Sequence, residues 1–302
     1  MDHNGAGAAP RNAAWLDEQY DNRKRVPAFA QYFERWRADS AQARRQLRCR
    51  LDLTYAPDAA VTLDVFPAAQ ADAPVLVFIH GGYWRSLDKA DFSFVAPAFV
   101  RAGAMVVVPN YTLCPALAID AIALQMAHAL AWVHRHAAAY GGDARRTVVV
   151  GHSAGGHLAA MLLACDGLCL APDLPRRLTQ HAVSISGLYD LADVAATPSL
   201  QVDLRLTPAV VRRASPAGFA PPAGGLLCSV VGALESDEFR RHNRLIRERW
   251  GAEVVPVCEE IAGRNHFSVL DELIDPQAML HNCVRQWLAL DSVERQPALR
   301  YC

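Results

Sequence analysis

Thr147-Val148-Val149-Val150-Gly151-His152-Ser153-Ala154-Gly155-Gly156-His157-Leu158 decides the reading of this chain. An apolar β-branched run reads as a buried strand, and Gly156 to Ala164 reads as a helix. Between them stands G-x-S-x-G, at residues 151 to 155. Strand, sharp turn and helix form the context in which that pattern marks a nucleophile elbow, with Ser153 pushed into the open. The flanking glycines lack a Cβ, so the chain can turn that tightly.

Outward from the elbow, apolar strands alternate with helices. Cys49 to Tyr55 and Val61 to Phe66 are expected to form a hairpin. Strands are predicted at 75–79, 105–108, 181–186, 226–231 and 253–258, and helices at 90–101, 118–139, 240–250 and 275–290. This rhythm predicts an α/β fold, with a mostly parallel twisted sheet covered by helices on both faces. Residues from about 15 to 47 carry aromatics at helical spacing and are read as one or two helices broken at Pro27, either a cap over the site or packing on the sheet edge. Prolines at 198, 208, 216, 221 and 222 make residues 188–225 an irregular, lid-like excursion. Residues 1–11 read as a disordered tail, and the whole as a single domain.

A serine hydroxyl needs a neighbouring base, and the base needs an orienting acid. In this architecture the chain order is serine, acid, histidine. The strand at 226–231 runs into Glu235-Ser236-Asp237, and the last strand into Asn265-His266-Phe267. Both loops lie at the carboxyl ends of strands, where open α/β sheets bind ligands. His266 is the candidate base. Either Glu235 or Asp237 could reach its imidazole, and the other would be a solvated carboxylate opening the next helix. His152 and His157 flank the serine and are read as packing or supporting groups. His134 and His136 do not share a helical face, so no metal pair is expected there.

His80-Gly81-Gly82-Tyr83-Trp84 follows the strand ending at Ile79. Its glycines let backbone approach substrate, and the N–H groups of Gly81, Gly82 and Ala154 are candidate donors to a tetrahedral oxyanion. Tyr83, Trp84 and Phe267 are candidate pocket residues, beside the equally open reading that the first two only fill space under the cap.

The chain has 302 residues, 52% of them hydrophobic, and a formal net charge of −1. No basic stripe suggests nucleic acid or an anionic membrane, and no apolar run is long enough to span a bilayer. Met1 to Gly5 lacks the pattern of a signal peptide, so a cytoplasmic location is expected. The eight cysteines contain no C-x-x-C pair and read as reduced thiols; no role is assigned to the close pair Cys165 and Cys169. A small-molecule substrate and no metal or organic cofactor are expected, and a homodimer is left open.

His-Gly-Gly-Tyr-Trp-Arg at 80–85, Asn-Tyr-Thr-Leu at 110–113 and Gly-His-Ser-Ala-Gly-Gly-His-Leu at 151–158 resemble the α/β-hydrolases of the kynurenine formamidase (arylformamidase) type. Glu-Ser-Asp-Glu-Phe at 235–239, Asn-His-Phe at 265–267 and Tyr-Asp-Asn-Arg-Lys-Arg-Val-Pro at 20–27 are similar too. The resemblance implies the α/β-hydrolase fold with an N-terminal helical cap, and hydrolysis of N-formyl-L-kynurenine to kynurenine and formate in tryptophan catabolism. It implies Ser153 as nucleophile, His266 as base, Asp237 as acid and an oxyanion hole from the Gly81-Gly82 loop. Close relatives of this type are general carboxylesterases, so short-chain acyl esters are the alternative substrates. A non-catalytic binding protein on the same fold is a further alternative, but it would need none of the four motifs.

Overall fold

The computed structural model describes residues 12–56 and 61–290; the tail expected at residues 1–11 lies outside the described residues. Among the described residues eight strands form one sheet: β1 Arg50–Thr54, β2 Thr62–Phe66, β3 Ala73–Ile79, β4 Met105–Pro109, β5 Gly142–His152, β6 His181–Ile185, β7 Leu226–Gly232 and β8 Val257–Ile261. Their order is β1-β2-β4-β3-β5-β6-β7-β8. The first two strands form the expected antiparallel hairpin, and β2 also runs antiparallel to β4. Every pairing from β4 through β3 to β8 is parallel.

Parallel strands covered on both faces must be apolar on both. In β3, Val75, Val77 and Ile79 join one core layer while Leu76 and Phe78 join the other, the two-residue alternation of a pleated strand. The first layer takes residues from the long helix Ile119–His136 and the elbow helix Ala154–Leu163. The second takes residues from Ala96–Arg101, Met279–Trp287 and the N-terminal helix Phe29–Gln46.

Several predicted boundaries move for identifiable reasons. The last strand was expected at 253–258 but occupies Val257–Ile261. Pro256 has no N–H for a ladder, so pairing starts after it. The helix expected over 275–290 is confined to Met279–Trp287, and a separate turn of helix, Asp271–Ile274, precedes it. Asp275, which precedes Pro276, takes an extended backbone with ψ 114°. The excursion between β6 and β7 holds three short helices, Ala192–Ala195, Pro198–Leu204 and Pro208–Arg213. Its prolines open two of these helices, where the missing N–H costs nothing.

The N-terminal segment forms Ala13–Tyr20, a turn of helix at Asn22–Arg25, and Phe29–Gln46. Pro27 separates the last two. Trp36 is buried against Phe92, Phe94 and Phe267, and the Ser40 hydroxyl accepts the N–H of Phe94. No helix among the described residues is long and apolar enough to cross a membrane. The seven described cysteines are free; Cys114 and Cys228 are buried and Cys169 is exposed.

Candidate active site

Ser153 stands between β5 and the elbow helix with φ 57° and ψ −116°. That left-handed backbone is strained for a residue with a side chain, and strain of this kind persists only where its surroundings fix it. The surroundings here are close-packed. The Ser153 N–H donates to the carbonyl of Ile185 at 2.7 Å, and a Cβ on Gly155 would lie 2.0 Å from the carbonyl oxygen of Ile79. Ser153 is the residue before the helix but makes no side-chain cap. Its Oγ is buried and has no hydrogen-bond partner among the described residues.

The acid facing His266 is Glu235. Its Oε2 lies 2.6 Å from His266 Nδ1, and both residues are buried. The other carboxylate oxygen, Oε1, accepts the Ser186 hydroxyl at 2.6 Å and the Gly232 N–H at 2.7 Å. Two donors thus fix Oε1 and turn Oε2 toward the imidazole. Asp237, which the family resemblance had favoured, is corrected by this geometry. Its side chain is 69% exposed and pairs with Arg240. The cause is local: Ser236 caps the helix Asp237–Trp250 by accepting the Phe239 N–H, and Asp237 falls in the first turn, where carboxylates suit the helix dipole. A serine followed directly by Asp237 and Glu238 is the signal for that cap in the sequence.

The loop bearing His266 is held from two sides. Asn265 Oδ1 accepts the N–H groups of Phe267 and Ser268, each at 2.9 Å. His152, the variable residue of the elbow, donates Nε2–H to the carbonyl of His266 at 2.8 Å. Burial holds His152 neutral, with its pKa well below the usual histidine value, and the neighbouring His266 pushes the same way. His157 points away from the site. Its Nε2 donates to the carbonyl of Ala214 at 2.7 Å, and burial lowers its pKa to about 4.

The glycine loop lies beside the serine. A Cβ on Gly81 would sit 3.1 Å from the Ser153 Cβ. Gly82 adopts φ 107°, a backbone that side chains resist, and a Cβ there would meet the Ser86 carbonyl at 2.1 Å. His80 stacks on Tyr111 at 4.4 Å, and its Nε2 donates to Asn110 Oδ1 at 3.0 Å. These contacts fix the strand end from which the loop departs.

A cavity of about 460 Å³ opens over Ser153 and His266. Tyr83 and Phe267 line it, with Tyr20, Phe33 and Trp36 from the N-terminal helices. Trp84 does not. Tyr83 and Trp84 both take positive φ, 51° and 54°, so the chain twists between them. Trp84 is sent into the core, edge-on to His157 at 5.0 Å. Tyr83 turns to the N-terminal segment, where its hydroxyl donates to the carbonyl of Tyr20 at 2.7 Å. Tyr20 in turn bonds Glu238 and His242 on the helix after the Glu235 loop. Among the described residues, no group of three or more histidine, cysteine or acidic side chains is placed to hold a metal ion.

A family model described as BD-FAE matches residues 63–192. The kynurenine formamidase of Danio rerio is 28% identical over 252 residues, covering 81% of this chain and 83% of that one. That of Salmo salar is 27% identical over 287 residues, covering 86% of this chain and 94% of its own. A solved structure from Silicibacter sp. TM1040, described as a thioesterase, is 28% identical with a TM-score of 0.78, covering 92% of this chain and 98% of that one. With this sheet order and elbow, the chain is a serine hydrolase of the α/β-hydrolase fold, of the ester- and amide-cleaving type. Within that class its resemblance is to the kynurenine formamidases.

Proposed function

We propose that this enzyme removes the formyl group from an aryl formamide, N-formyl-L-kynurenine above all, releasing formate and the aryl amine. Ser153 attacks the formyl carbon while His266 takes its proton, and Glu235 holds the imidazole and steadies the charge it gains. The N–H groups of Gly81, Gly82 and Ala154 meet the oxyanion; Ala154 N–H, in the first turn of its helix, has no intrahelical partner. His266 then protonates the departing amine, and water releases formate from the serine.

The observation that carries the chemistry is the buried contact of His266 Nδ1 with Glu235 Oε2 at 2.6 Å, beside a strained serine whose hydroxyl is uncommitted. The two formamidase relatives, matched over most of their lengths, support the substrate. So does an aromatic-walled cavity of about 460 Å³, a size suited to one substituted arene. The likeness to a thioesterase-described structure favours activated acyl esters as a second reading.

The test is a comparison of kcat/KM for N-formyl-L-kynurenine and p-nitrophenyl acetate, with Ser153→Ala as the blank. A higher value for the formamide, abolished by the substitution and by a fluorophosphonate, supports the proposal. Turnover of the ester alone would overturn the substrate assignment, and an active S153A protein would overturn the mechanism.

A further inference from the structure

The cavity wall carries four charged side chains: Asp21, Arg23, Arg85 and Asp203. Three of them are already engaged. Arg85 pairs with Asp203 at 2.7 Å and also donates to the Ser199 carbonyl at 2.9 Å. Asp21 Oδ1 accepts the Lys24 N–H at 3.0 Å. Arg23 has no hydrogen-bond or ion-pair partner among the described residues. Its guanidinium instead lies over two rings, with Cζ 5.5 Å from the centre of Phe29 and 5.6 Å from that of Phe33.

Those rings connect it to the reacting group. The His266 ring lies 5.5 Å from Phe267, and Phe267 lies 5.5 Å from Phe33. An aromatic wall therefore runs from the imidazole to the guanidinium, through contacts each shorter than a ring's width and a half. Stacking fixes the plane of a guanidinium while leaving its N–H edges open, and those edges match a carboxylate in a paired, planar fashion.

We propose that Arg23 is the specificity residue that binds the α-carboxylate of an aryl formamide bearing an amino-acid side chain. This rests on the formamidase reading above. With the formyl group at Ser153 and the arene on Phe267, the side chain ortho to the formamide is the part of the substrate that can reach along Phe33 to Arg23. A neutral formanilide or simple ester would fill the same wall and leave the guanidinium unused.

The experiment compares wild type with R23Q and R23K on three substrates: N-formyl-L-kynurenine, its α-carboxamide, and formanilide. For R23Q, KM for N-formyl-L-kynurenine is expected to rise roughly three- to tenfold with kcat within about twofold, because one charge-assisted contact of an exposed guanidinium is lost. Kinetics on the two substrates that lack the carboxylate should not fall, and R23K should recover part of the loss. Equal losses on all three substrates would show that Arg23 only props the wall, and no change on the carboxylate-bearing one would show that it does not bind it; either overturns the assignment while the formamidase reading stands. A wild-type enzyme that cleaves none of the three overturns both.

Discussion

Replacing Glu235 with glutamine separates the two carboxylates that the sequence left in competition. The side chain keeps its shape but must present one oxygen and one amide. Gly232 N–H, 2.7 Å from Oε1, can only donate, so it claims the oxygen. The amide then faces His266 Nδ1, which must accept, and the imidazole proton is forced onto Nε2. That is the nitrogen meant to take the Ser153 proton, so the base is disabled by its tautomer. The reversed amide would set two donors against each other, at a cost of about 1–3 kcal/mol. An equivalent carboxylate-to-amide change in a serine triad lowers kcat by about 10⁴, or about 5.5 kcal/mol at 1.36 kcal/mol per tenfold. We therefore expect E235Q to lose about 10³–10⁴ in kcat, with KM changed far less. Asp237→Asn removes one exposed surface pair and should stay within about twofold of wild type. Initial rates on p-nitrophenyl acetate and N-formyl-L-kynurenine, with thermal unfolding as a folding control, decide it. A folded E235Q within tenfold of wild type, or a D237N loss beyond a hundredfold, would refute the reasoning.

Two further outcomes concern the scaffold. Gly155→Ala places a methyl 2.0 Å from the Ile79 carbonyl oxygen, and backbone cannot yield as a side-chain tip can; denaturant unfolding should show a loss of about 3 kcal/mol or more, or no soluble protein. His157 is buried with a pKa lowered to about 4, whereas the unfolded chain takes up the proton near 6.5. The unfolded state therefore binds more protons between those values, so stability should fall by about 3 kcal/mol from pH 6.5 to 4 through this group and flatten below. Urea titrations of wild type and His157→Gln at pH 7 and 5 check it: the variant, whatever its stability at pH 7, should lose less on acidification.

The elbow was legible because its chemistry is local. A β-branched run, two glycines that cannot hold a Cβ and a small-residue helix all lie within eighteen positions, and each constrains the next. The acid was not legible in this way. Glu235 and Asp237 share a loop, and the choice between them is made by Ser186, from a strand end far away in sequence, and by the Gly232 N–H. His152 was seen as a supporting group, but its partner, the His266 carbonyl, lies 114 positions away. Whether Tyr83 and Trp84 line the pocket or fill space stays open in the sequence for a backbone reason. Two successive positive φ angles at non-glycine residues are not written in composition, yet they decide which of two neighbouring aromatics faces the cavity. The prolines of the excursion and of the last strand erred in opposite directions, opening helices at 198 and 208 and delaying pairing at 256.

The cavity is assembled from two parts of the chain that fold by different means. Ser153 directly follows β5, and Glu235 and His266 stand in the loops after β7 and β8, tied to strand ends through Gly232, Ser186 and His152. Tyr20, Arg23, Phe33 and Trp36 stand on helices that enter no strand pairing and are fastened by side chains, through Tyr83, Glu238 and Ser40 among others. A change of residue on those helices can reshape what the cavity admits without shifting the register that sets the reacting groups. The fold thus separates what the cavity admits from the proposed reacting groups, and it marks residues 20 to 36 as the stretch where a library of variants would redirect the enzyme at least risk to its chemistry.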